Sequence, residues 1–352
     1  MKYRFITTLF ISGVIFLMTS AEAQIGGDGT LSFLSLPTSS RVVAMGGDFL
    51  TISDNDITVA TSNPSLITPQ LHNHIGVEYV DFFTGGNFGV ASYARHFNKL
   101  GSFIGSVKYL NYGEFEGASE TGELTNKFSA SETALIIGWG RNLDSLFSIG
   151  ANLKLFYSSL ETYKSYGVAV DVAGSYTSRD QRFTASLIAT NVGRQFKAYY
   201  SGNQEPLPFE IEAGISQRLK HLPFRYSILY NHIEKWDLRY EDPADHQTDA
   251  LTGEVVSDTR VKEIADNLMR HIVVGGEAYI GKHLMLRAGY NYGWRQDMKI
   301  ASKASTVGFS WGIGLKVSKF HFNYSRMAWH RAGSPNYITL TLNLSDFYRK
   351  KE

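Results

Sequence analysis

The sequence of 352 residues predicts an all-β fold, a fourteen-stranded antiparallel transmembrane β-barrel with an N-terminal plug or hatch segment. Three observations predict this fold. The chain begins with a secretory signal, it continues in long segments that alternate between apolar and small or polar residues, and the connections between those segments alternate between short and long. Together these features are typical of bacterial outer-membrane barrels.

The composition excludes several other classes of protein. The chain has 34 basic and 33 acidic side chains, 33 glycines, 20 tyrosines, 22 phenylalanines and no cysteine. No apolar run reaches the length of about 18 residues that indicates a transmembrane helix. The lack of cysteine excludes disulfide scaffolds, thiolate metal sites and thiol nucleophiles. The balanced charge, without a Lys/Arg block, gives no indication of nucleic-acid binding.

Residues 1–23 have the pattern of a secretory signal peptide. Lys2 and Arg4 precede the apolar stretch Phe5–Met18, and Ala21 and Ala23 supply the small residues that a signal peptidase recognises. The apolar stretch is shorter than the roughly 20 residues that span a bilayer as a helix, which disfavours a permanent anchor. We therefore expect cleavage after Ala23 and export of the mature chain.

From about residue 75 the sequence alternates with the period of a β-strand. The segment 306–317 would place large apolar side chains on one face and small or polar residues on the other, and 284–294 repeats this pattern. The apolar faces carry Val307, Phe309, Trp311, Ile313, Leu315 and Val317 in the first segment, and Leu284, Leu286, Ala288, Tyr290, Tyr292 and Trp294 in the second.

The length of these segments distinguishes a membrane barrel from a soluble sandwich. They contain about 9–13 residues, whereas soluble strands usually have 5 or 6 and a tilted transmembrane strand needs about 9–11. The opposite face carries charges that could not be buried unpaired in a sandwich core, and we expect them to pair across a polar lumen and hold the plug rather than form a selectivity ring. These residues are Lys154, Asp171, Glu210, Glu212, Arg218, Arg287 and Lys316.

The barrel is predicted to occupy residues 71–352. We expect strands near 75–80, 87–97, 102–112, 130–140, 146–158, 164–176, 182–192, 208–219, 223–232, 271–280, 284–295, 305–317, 319–329 and 336–345. The connections after even-numbered strands are short, and three of those after odd-numbered strands are long, at about 113–129, 193–207 and 233–270. Because bacterial barrels have short periplasmic turns and long extracellular loops, the long connections are predicted to face outward.

The longest of these loops contains a helical pattern. Between Thr259 and Ile272 apolar residues recur at helical spacing, which predicts a short amphipathic helix over the barrel mouth. The residues in this pattern are Val261, Ile264, Ala265, Leu268 and Ile272. Two interpretations remain open, a lid or partner-docking site and a helix that simply packs within the loop.

Residues 24–70 do not resemble a series of membrane strands. A short helix near Ser39–Met45 that ends at a glycine pair, followed by an Asn-Pro turn, predicts a compact plug in or under the barrel. The residues that define this plug pattern are Arg41, Gly46, Gly47, Asp54, Asn63 and Pro64.

The order of these features resembles a known family. The glycine pair, the acidic cluster 54–56 and the run Asn-Pro-Ser-Leu at 63–66 resemble the hatch of FadL-like outer-membrane barrels, whose fold has fourteen strands. More narrowly, the mature chain resembles the PorQ family of the Bacteroidetes type IX secretion system. The residues that carry this second resemblance are 33–37, 41–47, 112–115 and 122–130.

The PorQ resemblance implies a non-enzymatic outer-membrane component of the type IX secretion system that anchors a PorZ-like surface protein of the attachment complex, alongside PorU and PorV. The related PorV family is the second choice within this group. The partner would bind the extracellular loops, where aromatic residues are the expected anchors. The candidates are Phe115, Tyr199, Tyr200, Trp236 and Tyr240. Outer-membrane lipid and lipopolysaccharide are the other expected partners. The alternative function, implied by the wider resemblance, is a FadL-like transporter for a long-chain hydrophobic solute.

The sequence offers no clear catalytic, cofactor or metal site. His72 and His74 have the spacing of two ligands on one strand face, but no third ligand accompanies them. Asp54 and Asp56 resemble the start of a calcium loop, yet its Gly and closing Glu are missing. Since a catalytic triad is recognised only in three dimensions, an outer-membrane protease or lipase is the less favoured alternative.

Overall fold

The computed structural model describes residues 30–48, 50–82, 85–118, 123–200, 202, 204–239, 260–299, 305–330 and 333–348. The predicted signal peptide and the first residues of the predicted plug lie outside the described residues, as does Tyr240. We call residues 30–73, which precede the first strand, the N-terminal segment.

The described chain forms a closed antiparallel β-barrel of fourteen strands. Each strand pairs with its neighbours in sequence, and the first strand closes the barrel by pairing with the last. The predicted strand number and order are therefore confirmed. The strands are β1 (His74–Asp81), β2 (Asn87–Phe97), β3 (Gly101–Ala118), β4 (Leu124–Asn142), β5 (Phe147–Leu160), β6 (Tyr163–Thr177), β7 (Phe183–Lys197), β8 (Glu210–Arg218), β9 (Phe224–Tyr230), β10 (Ile272–Ile280), β11 (Leu284–Asn291), β12 (Phe309–Val317), β13 (Phe320–Met327) and β14 (Asn336–Asn343).

The apolar face of the strands points outward and the small or polar face points inward, as the alternation predicts. In β12 the large apolar side chains are exposed on the outside, as Trp311 and Leu315 illustrate, whereas Ser310 between them is buried inside. The same arrangement recurs around the barrel, where Tyr109, Leu153, Leu187 and Leu286 are exposed. An apolar belt of this kind is stable only against lipid, since water would make it costly.

Five short α-helices accompany the strands in the part of the chain that the structure describes. They are α1 (Ser40–Val43), α2 (Ile57–Ser62), α3 (Arg260–Arg270), α4 (Tyr292–Met298) and α5 (Ser345–Tyr348). No helix in the described part of the chain is long and apolar enough to cross a membrane. Helix α3 confirms the helix predicted within the long loop. Its apolar residues Val261, Ile264 and Leu268 are exposed, and the residue that it buries is Asn267.

The barrel wall is taller on one side. Strands β3–β7 contain 14–19 residues, whereas β8–β14 contain 7–9. Most of the segment 113–129, predicted as a loop, extends β3 and β4, and Phe115 pairs there with Phe128. The prediction missed this extension because backbone pairing satisfies the hydrogen bonds of a hairpin without requiring an alternating sequence. Likewise β7 continues into the predicted loop 193–207 and ends at Lys197.

Two strand boundaries were also predicted wrongly. The strand expected to continue to 295 ends at Asn291, whose side chain accepts a hydrogen bond from the backbone N–H of Trp294 and caps α4. An Asn cap of this kind favours the start of a helix. The strand expected from 305 begins at Phe309, and Val307 is buried rather than facing lipid.

Candidate functional site

The N-terminal segment is bound to the inner face of the barrel wall. Inward side chains from β3, β5, β8 and β12 donate hydrogen bonds to its backbone carbonyl oxygens. These bonds run from Lys108 to Leu34 and Leu36, from Asn152 to Thr61, from Ser216 to Thr51 and from Ser310 to Ala44. Since buried backbone carbonyls need partners, these contacts allow an irregular segment to lie against the wall.

Glycines in the wall make room for this segment. A Cβ atom at Gly150 would lie 2.1 Å from the carbonyl oxygen of Pro64, and one at Gly289 would lie 2.0 Å from the carbonyl carbon of Met45. Both distances are far below van der Waals contact. The small face that was predicted to line the lumen is therefore, at these positions, the surface against which the N-terminal segment packs.

Arg41, which is 6% exposed, connects the N-terminal segment with β10. Its Nη2 atom lies 2.6 Å from Asp54 Oδ2 and 2.7 Å from Glu277 Oε2, and its Nη1 atom lies 3.2 Å from Asp56 Oδ2. Burial acts to lower the pKa of Arg41, but the adjacent carboxylates of Glu277 and Asp54 raise it well above its ordinary value. The guanidinium is thus a permanent charge that holds both parts of the chain together.

Two further arginines from the wall complete this group. Arg225 Nη2 lies 2.5 Å from Asp54 Oδ1, and Arg287 Nε lies 2.6 Å from Glu277 Oε1. Burial acts to raise the pKa of Asp54, but Arg41 and Arg225 hold it far below its ordinary value. We call this group the inner ion cluster; its members are Arg41, Asp54, Asp56, Arg225, Glu277 and Arg287. It contains three positive and three negative charges, which is the balance that burial requires.

The other residues of the predicted plug pattern support the shape of the segment. Gly46 and Gly47 have φ angles of 121° and 114°, which other residues rarely adopt. Asn63 is fully buried, accepts a hydrogen bond from the backbone N–H of Ser65 and donates one to the carbonyl of Leu50. Pro64 begins the short 3-10 turn that Asn63 caps.

A cavity of about 100 Å³ lies between the N-terminal segment and the wall. Lys154 lines it and is paired with Asp171, whose Oδ1 atom lies 2.8 Å from the lysine Nζ atom. The carboxylates of Asp48, Glu210 and Glu212 also line the cavity.

Of the lumen charges predicted to pair, three do so with opposite charges. These are Lys154, Asp171 and Arg287. Glu210 contacts His232, with 3.4 Å between Oε1 and Nε2. Arg218 instead stacks over the ring of Tyr279, and Lys316 is exposed.

The predicted partner-binding residues lie on three separate connections. Phe115 is on the β3–β4 hairpin and stacks on Phe128, with ring centroids 5.3 Å apart. Tyr199 donates a hydrogen bond to Ser158 and is partly buried, whereas its neighbour Tyr200 is exposed. Trp236 is exposed beyond β9.

Arg225 and Glu277 were not among the residues predicted from the sequence. Both face inward and are directly paired across strands β9 and β10, and Glu277 is also paired with Arg287 across β10 and β11. The alternation that identified Arg287 could also have identified Glu277, because both residues lie on the inward face of their strands. In the described residues, no three His, Asp or Glu side chains are placed to hold a metal ion.

Comparison with known proteins identifies the fold. No protein-family model matches the chain, and no curated protein does. The structure is similar to that of the toluene transporter TbuX of Ralstonia pickettii, with a TM-score of 0.50 and 10% identity over 88% of this chain and 98% of that chain. It is also similar to the P. putida toluene transporter TodX, with a TM-score of 0.51 and 12% identity over 88% and 99% of the two chains.

These similarities confirm the resemblance to FadL-like barrels as a resemblance of fold, whereas no match supports the narrower resemblance to the PorQ family. Both similar structures are those of toluene transporters. The apolar belt and the closed barrel, together with these similar structures, indicate that the molecule resides in an outer membrane. The chain is a fourteen-stranded outer-membrane β-barrel with a FadL-like fold.

Proposed function

We propose that this protein is an outer-membrane channel for a hydrophobic solute, in which the N-terminal segment acts as a plug. The observation that carries the proposal is that this segment is bound along the inner wall and encloses a cavity with it. The fold shared with two toluene transporters supports the same function by analogy. These observations favour transport over surface anchoring, whereas the sequence alone favoured anchoring.

The cavity is too small for a long-chain solute to pass without a rearrangement. A cavity of about 150 Å³ is the size that holds benzene, and the one here measures about 100 Å³. Transport therefore requires part of the N-terminal segment to move away from the wall. The inner ion cluster would keep part of that segment in place, because breaking a buried ion pair costs about 3–5 kcal/mol.

A reversible crosslink tests whether the segment must move. A Cβ atom at Gly214 would lie 3.0 Å from Thr51 Cγ2, and the chain has no cysteine of its own. The double variant Thr51→Cys/Gly214→Cys, reconstituted in liposomes, should take up radiolabelled toluene when reduced and lose most of that uptake when oxidised. The two single variants serve as controls and should be insensitive to oxidation.

Uptake by cells tests the function itself. A strain that lacks the chain should take up toluene or oleate several-fold more slowly than the complemented strain, with unchanged uptake of a small sugar. Equal hydrophobic uptake in the two strains contradicts the transport function. Equal uptake by the oxidised and reduced double variant contradicts the proposed movement of the plug.

The second candidate is anchoring of a PorZ-like surface protein in type IX secretion, together with PorU and PorV. The sequence resemblance to the PorQ family favours it, as do the exposed aromatic residues Phe115, Tyr200 and Trp236 on the connections opposite the short turns. Affinity isolation from detergent-solubilised membranes tests it. Recovery of the same surface protein with the wild type, but not with a variant in which all three are alanine, supports anchoring.

A further inference from the structure

Helix α3, in the connection between β9 and β10, has one apolar face and one polar face. Residues three and four positions apart lie on the same side of a helix. On this basis the apolar face consists of Val261, Ile264, Ala265, Leu268 and Met269. The polar face includes Glu263, Asp266, Asn267 and Arg270.

The polar face of α3 packs against the barrel. Asp266 accepts a hydrogen bond of 2.6 Å from the hydroxyl of Tyr292, the first residue of α4, and its Oδ2 atom lies 2.8 Å from Arg270 Nε. Arg270 Nη1 in turn lies 3.1 Å from Oδ1 of Asp297, also in α4. Asn267 is buried and forms hydrogen bonds with the backbone of the residues that follow β9. These contacts fix the orientation of the helix.

The apolar face therefore points away from the barrel. All five of its residues are exposed, with 73% of Val261 and 49% of Ile264 accessible. A surface helix of a water-soluble domain has the opposite orientation, since its apolar face packs on the core. A contiguous apolar surface of this kind indicates a contact with a membrane or with another molecule.

Helix α3 is joined directly to the lipid-facing belt. It ends at Arg270, and β10 begins at Ile272, which is paired with Tyr230, the last residue in the outward row of β9. The ring of Tyr230 stacks on His271, with centroids 4.8 Å apart, and Trp236 also stacks on His271. Because Tyr and Trp are enriched where a membrane meets water, these rings indicate that α3 lies at the depth of the interface.

The strands beside α3 are short for a membrane barrel. Strands β9, β10 and β11 contain 7, 9 and 8 residues, whereas a transmembrane strand needs about 9–11. Strand β4 contains 19 residues. The belt of the short strands is therefore low, and an apolar surface at its extracellular end would extend it to match the thickness of the hydrocarbon core.

We propose that α3 is an interfacial membrane helix whose apolar face contacts the acyl chains of the outer leaflet. A helix of this type lies in the plane of the interface and buries its apolar face to a depth of about 5–10 Å. Lipid contacts one face of α3 and the barrel binds the other, so the connection after β9 is held at the membrane surface. This contact does not depend on solute transport, since it lies on the outside of the barrel.

Quenching by brominated lipid tests the inference on the full-length barrel in phosphatidylcholine vesicles. The chain has no cysteine, so a single introduced cysteine can carry the environment-sensitive fluorophore NBD. Leu268→Cys places the label on α3, Ile313→Cys on the lipid face of β12 and Glu116→Cys on the exposed part of the β3–β4 hairpin. Bromine atoms on the acyl chains should reduce the emission of the labels on α3 and β12 by about two-fold and leave that of the hairpin label unchanged.

The position and the quenching of the α3 emission together identify the neighbour of the helix. Equal emission of the α3 label in brominated and ordinary vesicles overturns the inference. Blue-shifted emission without quenching shows that protein covers the helix, either another part of this chain or a second molecule, and overturns it as well.

A charged substitution tests the same contact without a fluorophore. Leu268→Asp should release α3 from the vesicle surface and increase tryptic cleavage at Arg260 and Lys262 several-fold, because a carboxylate is unfavourable among acyl chains. Leu268→Met keeps an apolar side chain and is the matched control, which should be cleaved as slowly as the wild type. Val261→Asp, on the same exposed face, is the second test should Leu268→Asp not fold. Equal cleavage of the charged and control variants overturns the inference.

Discussion

Arg41 Nη2 and Glu277 Oε2 lie 2.7 Å apart and join the N-terminal segment to β10 across 236 residues of sequence. Glu277 is fully buried and also contacts Arg225 and Arg287. One carboxylate thus contacts three guanidinium groups. This arrangement makes Glu277 the most sensitive position of the inner ion cluster.

Glu277→Ala should destabilise the barrel by about 3–5 kcal/mol, because it leaves the buried Arg287 without its carboxylate partner and removes one carboxylate each from Arg41 and Arg225. The measurement is the denaturant midpoint at which the folded form, which migrates faster in unheated gels, disappears. Glu114→Ala removes one member of an exposed ion pair with Lys127, 3.7 Å long, and is the control. It should cost about 0–1 kcal/mol. Equal losses in the two variants contradict a structural role for the cluster.

Gly150→Ala should displace the N-terminal segment, since the new Cβ atom would lie 2.1 Å from the carbonyl oxygen of Pro64. Overpacking of this kind costs about 1–3 kcal/mol, and we expect faster proteolysis within residues 30–73. Gly174→Ala is the matched control, because no heavy atom lies within 4 Å of a Cβ there. Identical digestion of both variants and the wild type contradicts the prediction.

Asp48 makes stability depend on pH. Burial, together with the neighbouring Glu210, raises the pKa of Asp48 from 3.8 to about 7. Between these values the folded chain holds a proton that the unfolded chain releases, so its free energy of unfolding should fall as pH rises from about 4 to about 7. Asp48→Asn should weaken this dependence, measured as the unfolding temperature in detergent at pH 4.5 and pH 8.

Asp180→Asn is the control for the pH experiment, because Asp180 is exposed in the β6–β7 turn. Hydrogen bonds from the Ser178 hydroxyl and the Arg182 backbone lower the pKa of Asp180 instead. Its replacement should leave the loss of stability between pH 4.5 and pH 8 unchanged. A wild-type barrel that becomes more stable over this range contradicts the role assigned to Asp48.

Ile313→Arg should destabilise the barrel by about 2–4 kcal/mol, because it places a charge on the lipid face near the middle of β12. Val317→Arg, at the end of the same strand, should cost about 0–1 kcal/mol. The comparison is made by denaturant unfolding in lipid vesicles. A larger loss at Val317 than at Ile313 contradicts the lipid-facing assignment of β12.

The alternation of the sequence was sufficient to predict the strands that face both lipid and the interior. In β12 the exposed side chains of Trp311, Ile313 and Leu315 each follow a small buried residue, so the period of two indicates both the strand and its orientation. The pattern failed at Tyr292 and Trp294, which continue the alternation of β11 but belong to α4. The Asn291 cap overrode the periodicity there, and its effect depends on local backbone geometry.

The site was less predictable than the fold. Arg41 and Asp54 were recognised in the N-terminal segment, but their partners Arg225 and Glu277 are more than 170 residues away in sequence. Which inward charge meets which residue of the N-terminal segment depends on the register of the closed barrel. A pattern within one strand contains no information about such a pairing, whereas the structure gives it directly.

Where the N-terminal segment crosses the barrel wall, the wall has glycine, without a side chain, at Gly150 and Gly289. Two distant stretches of the chain are therefore in direct backbone contact. A bulkier residue at Gly150 or Gly289 is compatible only with a segment that takes another course at Pro64 or Met45. Related barrels that diverge at one of these positions should therefore have diverged at the other as well, and the interior of such a barrel evolves as matched pairs rather than as single sites.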